Sequence, residues 1–178
     1  AGAAATANVA RSPYTVTASA ATGGSFSASN YSISYVNGTL SIIPRALTVT
    51  ADAGQNKTYG NADPALSYSS NAVNGDSFTG TLARTAGENV GNYAINQGSL
   101  NVGSNYTLTY VSDNLAITPA ALTITANSPA NKTYGDSLSF TGTEFTSSGL
   151  KNGETIGSTT INSAGAAATA NVAGSPYT

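Results

Sequence analysis

Residues Asn30–Gly60, NYSISYVNGTLSIIPRALTVTADAGQNKTYG, recur 75 residues later as Asn105–Gly135, NYTLTYVSDNLAITPAALTITANSPANKTYG, with 17 of 31 positions identical. Four of the fourteen remaining differences exchange Ser for Thr or one aliphatic side chain for another, and the identity alone shows one structural unit written twice. If the unit starts at the proline, Pro44–Thr118 is a complete copy of 75 residues and Pro119 opens the next. The first fifteen residues, AGAAATANVARSPYT, return as residues 164–178 with a single difference, Arg11 against Gly174. Joined across that overlap, residues 119–163 and 1–43 make a longer unit of 88 residues. The sequence is therefore expected to be an excerpt from an array that alternates the two unit lengths. Residues 1–43 are then the C-terminal half of an 88-residue-type repeat, 44–118 a complete repeat, and 119–178 the N-terminal part of the next.

Within both copies apolar and hydroxyl residues alternate. Leu47 and Val49, then Leu122 and Ile124, are interleaved with Thr48, Thr50, Thr123 and Thr125, the period of two that marks half-buried strands. Tyr31, Ile33 and Tyr35 alternate in the same way with Ser32 and Ser34. Asn37-Gly38 follows, and with Thr39–Ile43 it reads as a hairpin closed by a two-residue turn. The second copy carries Ser112-Asp113 there. No stretch of helical periodicity longer than about two turns stands out. The expected fold is all-β: small β-sandwich or β-grasp-like modules arranged end to end as a rigid rod. A β-solenoid would repeat roughly every 20–30 residues, and the shortest clear period here is 75.

The junctions carry the mechanical expectation. In LSIIPRALTVTA (Leu40–Ala51) and LAITPAALTITA (Leu115–Ala126) one unit's last strand meets the next unit's first across only Pro44-Arg45-Ala46 or Pro119-Ala120-Ala121. Proline fixes φ and has no amide donor, so it interrupts the ladder while keeping the chain extended. No flexible Gly/Ser linker intervenes.

Composition excludes several chemistries. Cys, His, Met and Trp are absent, which removes disulfides, thiol and imidazole catalysis and the usual zinc ligands. Only 8% of residues are charged, with six basic and eight acidic, against about 25% in ordinary soluble domains. No basic stripe follows a phosphate backbone, so no nucleic-acid partner is expected. No apolar run approaches the ~20 residues of a membrane span, and Ala1 opens no signal-peptide pattern, consistent with an excerpt or a processed chain. A hydrolase would need a Ser-Lys or paired-carboxylate site, and no carboxylate pair recurs at a diagnostic spacing. No enzyme activity and no cofactor are expected.

The repeated NKTYG block (Asn56–Gly60, Asn131–Gly135), preceded by P-x-A-L-T-[VI]-T-A and followed by [KV]-N-G-[DE] (Val73–Asp76, Lys151–Glu154) and N-Y-x-[IL]-x-Y, resembles the MBG repeat family of bacterial surface proteins. That family is mostly β and glycine-rich and occurs as tandem arrays in very large secreted proteins, often similar to filamentous haemagglutinin-type adhesins. The resemblance implies an extracellular stalk or fibre rather than a chemistry. One departure is Asn61, where the second copy has Asp136, so no role requiring a carboxylate in every unit follows.

The candidate residues are architectural. Pro44 and Pro119 stiffen the junctions, Tyr59-Gly60 and Tyr134-Gly135 form turns, and Asn37-Gly38 closes the hairpin. Lys57 and Lys132, beside those tyrosines, lie over an aromatic face or cap a turn. The sharper alternative is a Lys-Asn isopeptide crosslink, which needs a buried Asn and a neighbouring acid such as Glu88 or Asp76. Asp52, Asp63 and Asp136 are too sparse for a calcium junction and suit Asx-turns and caps. Tyr31, Tyr35, Tyr106 and Tyr110 are expected in core or cross-strand packing, with a glycan-binding face as the alternative. Five N-x-[ST] sequons, at Asn30, Asn37, Asn56, Asn105 and Asn131, would admit glycosylation. The expected partners are neighbouring repeats of the same protein, covalent or head-to-tail; the alternatives are a self-polymerising fibre subunit assembled by complementation of its terminal half-repeats and an adhesin module that binds a glycan or cell-surface receptor.

Overall fold

A computed structural model describes residues 2–127 and 131–177. Eleven strands run along them: β1 (Tyr14–Val16), β2 (Gly38–Leu40), β3 (Arg45–Ala51), β4 (Asn56–Thr58), β5 (Tyr68–Ser70), β6 (Ala83–Arg84), β7 (Gly91–Asn96), β8 (Tyr106–Val111), β9 (Asn114–Thr118), β10 (Thr123–Ala126) and β11 (Phe145–Ser148). Among the described residues the only helices are 3₁₀ turns of three residues, such as Val9–Arg11 and Val172–Gly174. The fold is all-β. The described residues divide into two compact units, one drawn from Ala1–Asn56, Asp63–Gly87 and Gly91–Ala116, the other from Lys57–Ala62, Glu88–Val90 and Ile117–Thr178.

In the first unit the period-two pattern of β3 does what it should. Leu47, Val49 and Ala51 are buried and the threonines between them are not. β3 is central in a three-stranded sheet, antiparallel to β5 (Val49 opposite Ser70) and parallel to β8 (Leu47 opposite Leu108, Val49 opposite Tyr110). A second sheet has the order β4-β9-β7-β6. Leu47, Val49 and Ala51 from β3 and Tyr106 from β8 share one core with Ile95 from β7, Leu115 from β9, and Leu82 and Leu100. Two sheets over one core is a sandwich, and a β-grasp would need a longer helix than the described residues contain. Burial of these side chains is the main stabilising term, roughly 1.5–3 kcal/mol for each large one.

The expected hairpin at Asn37-Gly38 is not formed. Gly38 lies inside β2, opposite Val16 of β1, and neither Asn37 nor Gly38 has a positive φ. The complete copy shows why. Its strands β8 and β9 belong to different sheets, so Ser112-Asp113 carries the chain from one layer to the other. A hairpin would put Tyr106, Leu108 and Tyr110 in one sheet with Leu115 and Ile117 and leave that apolar face without a cover. Changing sheets places both strands around the same core. The crossing is pinned on Ile95, whose N–H donates to Asp113 O (2.7 Å) and whose carbonyl accepts from Ser112 Oγ (2.6 Å) and Tyr110 Oη (3.3 Å).

The flanking half-copies reproduce fragments of this scheme. Gly38 is the counterpart of Asp113 at the 75-residue offset, so β1–β2, with Val16 facing Gly38, repeats the contact of Ile95 with Asp113. β10 and β11 pair antiparallel, Ala126 opposite Phe145, as Ala51 lies opposite Tyr68 in β3 and β5. The duplicated ends also fold alike. Asn8 Oδ1 accepts from Arg11 N (3.2 Å) and Tyr14 Oη donates to Asn8 O (3.0 Å), while Asn171 Oδ1 accepts from Gly174 N (3.0 Å) and Tyr177 Oη donates to Asn171 O (2.8 Å).

Candidate functional site at the copy junctions

Pro44 lies between β2 and β3, and Pro119 between β9 and β10; both are exposed, in links of four residues. At the first junction, side chains of the complete copy reach back to the preceding segment. Asn105 Oδ1 accepts from Val9 N (2.9 Å), and Asn74 Nδ2 donates to Ala5 O (3.3 Å). Ser12 Oγ accepts from Ile42 N (2.8 Å) just before the proline. Ala5, Val9, Ile42, Asn74 and Asn105 border a cleft of about 290 Å³ with Asp76 and Tyr106 on its wall.

The second junction is built on the Tyr59-Gly60 turn, closed by Asn61 N donating to Thr58 O (3.0 Å). Gly60 has φ +81°, and a Cβ there would strike the Lys151 side chain at 2.6 Å, so Lys151 packs directly on the turn. Tyr59 Oη donates to Glu154 Oε1, and this bond to a carboxylate is the main reason the Tyr59 phenol is pushed above its ordinary pKa. Lys151–Glu154 is the [KV]-N-G-[DE] block of the third segment, and Val73–Asp76 is the same block in the complete copy. Both junctions therefore use this block as the receiving surface, through Asn74 in one and Lys151 and Glu154 in the other. The sequence reading did not single it out as a contact; its recurrence beside a glycine turn was the available signal.

At Tyr134-Gly135 the turn is again closed, by Asp136 N donating to Thr133 O (3.2 Å), with Gly135 at φ +94°. Here the Ala-rich segment lies over it: Gly135 N donates to Ala168 O (3.3 Å) and Leu138 N to Ala166 O (2.9 Å). Lys132 caps the arrangement, Nζ donating to Asp136 O and Ala167 O, each at 3.0 Å. Lys57 behaves differently. It is buried and ion-paired with the exposed Glu88 at 2.5 Å. Two of the three groups an isopeptide bond needs thus meet. An ion-paired ammonium has no lone pair with which to attack a carboxamide.

The tyrosines separate by copy. Tyr106 is buried, its phenol donating to Asp76 Oδ2 (2.6 Å) and accepting from Val73 N (3.2 Å), with Phe78 edge-on at 5.9 Å. The bond to Asp76 raises its pKa, and burial raises that of Tyr110. Tyr31 and Tyr35 are exposed, Tyr31 against Phe26 at 5.7 Å and Tyr35 Oη accepting from Ala21 N (2.8 Å). Asp63, expected in an Asx-turn or cap, holds Arg84 in a two-pronged pair (2.7 and 3.0 Å), with the guanidinium also over the Tyr93 ring at 5.1 Å. That cluster was not foreseen. A lone arginine within an otherwise uncharged strand was its only trace. Among the described residues no group of three or more His, Cys, Asp or Glu could hold a metal ion, and no helix is long and apolar enough to cross a membrane.

Two sheets closed over one core define a β-sandwich domain. Residues 47–116 match the family model of the MBG domain (YGX type), and this stretch belongs to that family. Domains of this kind occur in extracellular and surface proteins. No curated protein and no solved structure matches the chain.

Proposed function

We propose that the chain is a structural repeat segment of an extracellular bacterial fibre or adhesin stalk, giving length and stiffness at the cell surface or in the matrix. The observation that carries this reading is the bridged junction. Consecutive copies are joined through a proline in a four-residue link, and each junction adds contacts from the [KV]-N-G-[DE] block: Asn74 to Ala5, Glu154 to Tyr59, Lys151 on Gly60. A joint held at the link and beside it resists bending, which suits a stalk whose work is mechanical. The hydroxyl-rich, weakly charged sequence supports the same reading, since it hydrates a long surface without a strong field. The neighbouring repeats are the partners, and no chemistry is assigned to the site.

Replacing Pro44 by a Gly-Ser linker in an array of units is expected to leave each unit folded and to increase bending between them, read by small-angle scattering and electron-microscope images. Unchanged stiffness would overturn the junction as the source of rigidity.

A further inference from the structure

We propose that the open edge of β10 takes up residues 31–36 of a second copy of this chain as a parallel strand. The proposal deepens the repeat reading and rests on it, because it treats the two half-copies as parts of one unit. The template lies within the molecule. β3 has β5 on one side, antiparallel, and β8 on the other, parallel. β10, its counterpart, pairs with β11 alone among the described residues. Leu122 and Ile124 are consequently 46% and 44% exposed, where Leu47 and Val49 are 1% and 0%.

The matching strand is present and equally uncovered. Residues 31–36, YSISYV, correspond to β8, YTLTYV, with only hydroxyl and aliphatic exchanges. They lie in no named strand and leave Tyr31, Ile33, Tyr35 and Val36 exposed. An apolar face with free backbone donors and acceptors along its edge is a template for strand addition. Neither residues 31–36 nor residues 119–126 contain a charge to oppose it. The 75-residue offset also fixes the register. Arg45 opposite Tyr106, Leu47 opposite Leu108 and Val49 opposite Tyr110 become Ala120 opposite Tyr31, Leu122 opposite Ile33 and Ile124 opposite Tyr35. The duplicated ends do not carry the contact, since residues 31–36 lie outside them.

The absence of cysteine makes the test clean. In a double variant, Ile33→Cys with Leu122→Cys, both sites are exposed, so the substitutions leave the folded core intact. Oxidation is expected to give a ladder of disulfide-linked dimers and longer oligomers on denaturing gels, and the ladder should vanish for Ile33→Cys with Thr123→Cys, whose side chains point to opposite faces. Sedimentation of the unaltered chain should give a mass that rises with concentration in steps of 17.6 kDa. A ladder from the shifted pair, a crosslinked monomer, or a constant monomer mass would each overturn the proposal. None of these outcomes bears on the stiffness of the Pro44 junction, so this inference and the proposed function fail separately.

Discussion

Leu47 and Leu122 occupy the same place in the repeat, yet one is sealed in a core and the other stands half in solvent. The same holds for Tyr106 against Tyr31 and Leu115 against Leu40. Local sequence is nearly constant across these pairs, so the difference is not one of propensity. Burial needs both sheets. β3 is covered because β8 lies beside it and β7 and β9 supply the facing core residues, whereas among the described residues β10 has β11 alone. A repeat of this kind is thus a unit of stability only when strands from both of its halves are present, and a half-copy keeps its pairing but not its core.

The strongest way to break that comparison is to truncate the paired leucines. Leu47→Ala is expected to destabilise the sandwich by about 2–5 kcal/mol, while Leu122→Ala should change stability within about 0.5 kcal/mol, both read by urea unfolding. Equal losses would mean that the half-copy has a core of its own. The Tyr-Gly turns sharpen the contrast. Gly60→Ala and Gly135→Ala both force a side chain into the left-handed region, at about 1–2 kcal/mol each, but only at Gly60 must a neighbour, Lys151, also move. Gly60→Ala should therefore cost more and should shift the Lys151 and Glu154 amide resonances, while Gly135→Ala leaves those of its surroundings in place.

A smaller effect separates the copies by pH. Glu144 precedes β11 as Ser67 precedes β5. Its carboxylate accepts from Thr141 N (3.0 Å), the Thr141 hydroxyl (2.7 Å) and Gly142 N (3.0 Å), bonds that hold its pKa at about 2 against an ordinary 4.5. The folded pKa is depressed, so the stabilisation is present above pH 4.5 and is lost as pH falls toward about 2. The Gly142 amide resonance should move through that window, and that of Ser67 should not.

Much of this was legible in the sequence because it is local or periodic. The 75-residue offset, the burial of alternate residues in β3 and the turns at Tyr59-Gly60 and Tyr134-Gly135 depend on neighbours a few positions apart. The hairpin at Asn37-Gly38 was misread because a two-residue link fits a hairpin and a change of sheet equally well, and only the facing core decides between them. The partners of Lys57 and Asp63 lie 31 and 21 positions away. Nothing in the spacing decides between Glu88 and Asp76 for Lys57, or selects Arg84 for Asp63, until the strands between them are placed.

Amide hydrogen exchange on the dilute chain tests the central comparison most directly, since it reads every copy in one experiment. The expected result is strong protection at residues 47–51 and 106–111 and rapid exchange at 31–36, with 122–126 exchanging faster than their counterparts 47–51. Equal protection of 47–51 and 122–126 at dilution would contradict the account, because it would mean that a half-copy closes its core without the strands of the other half.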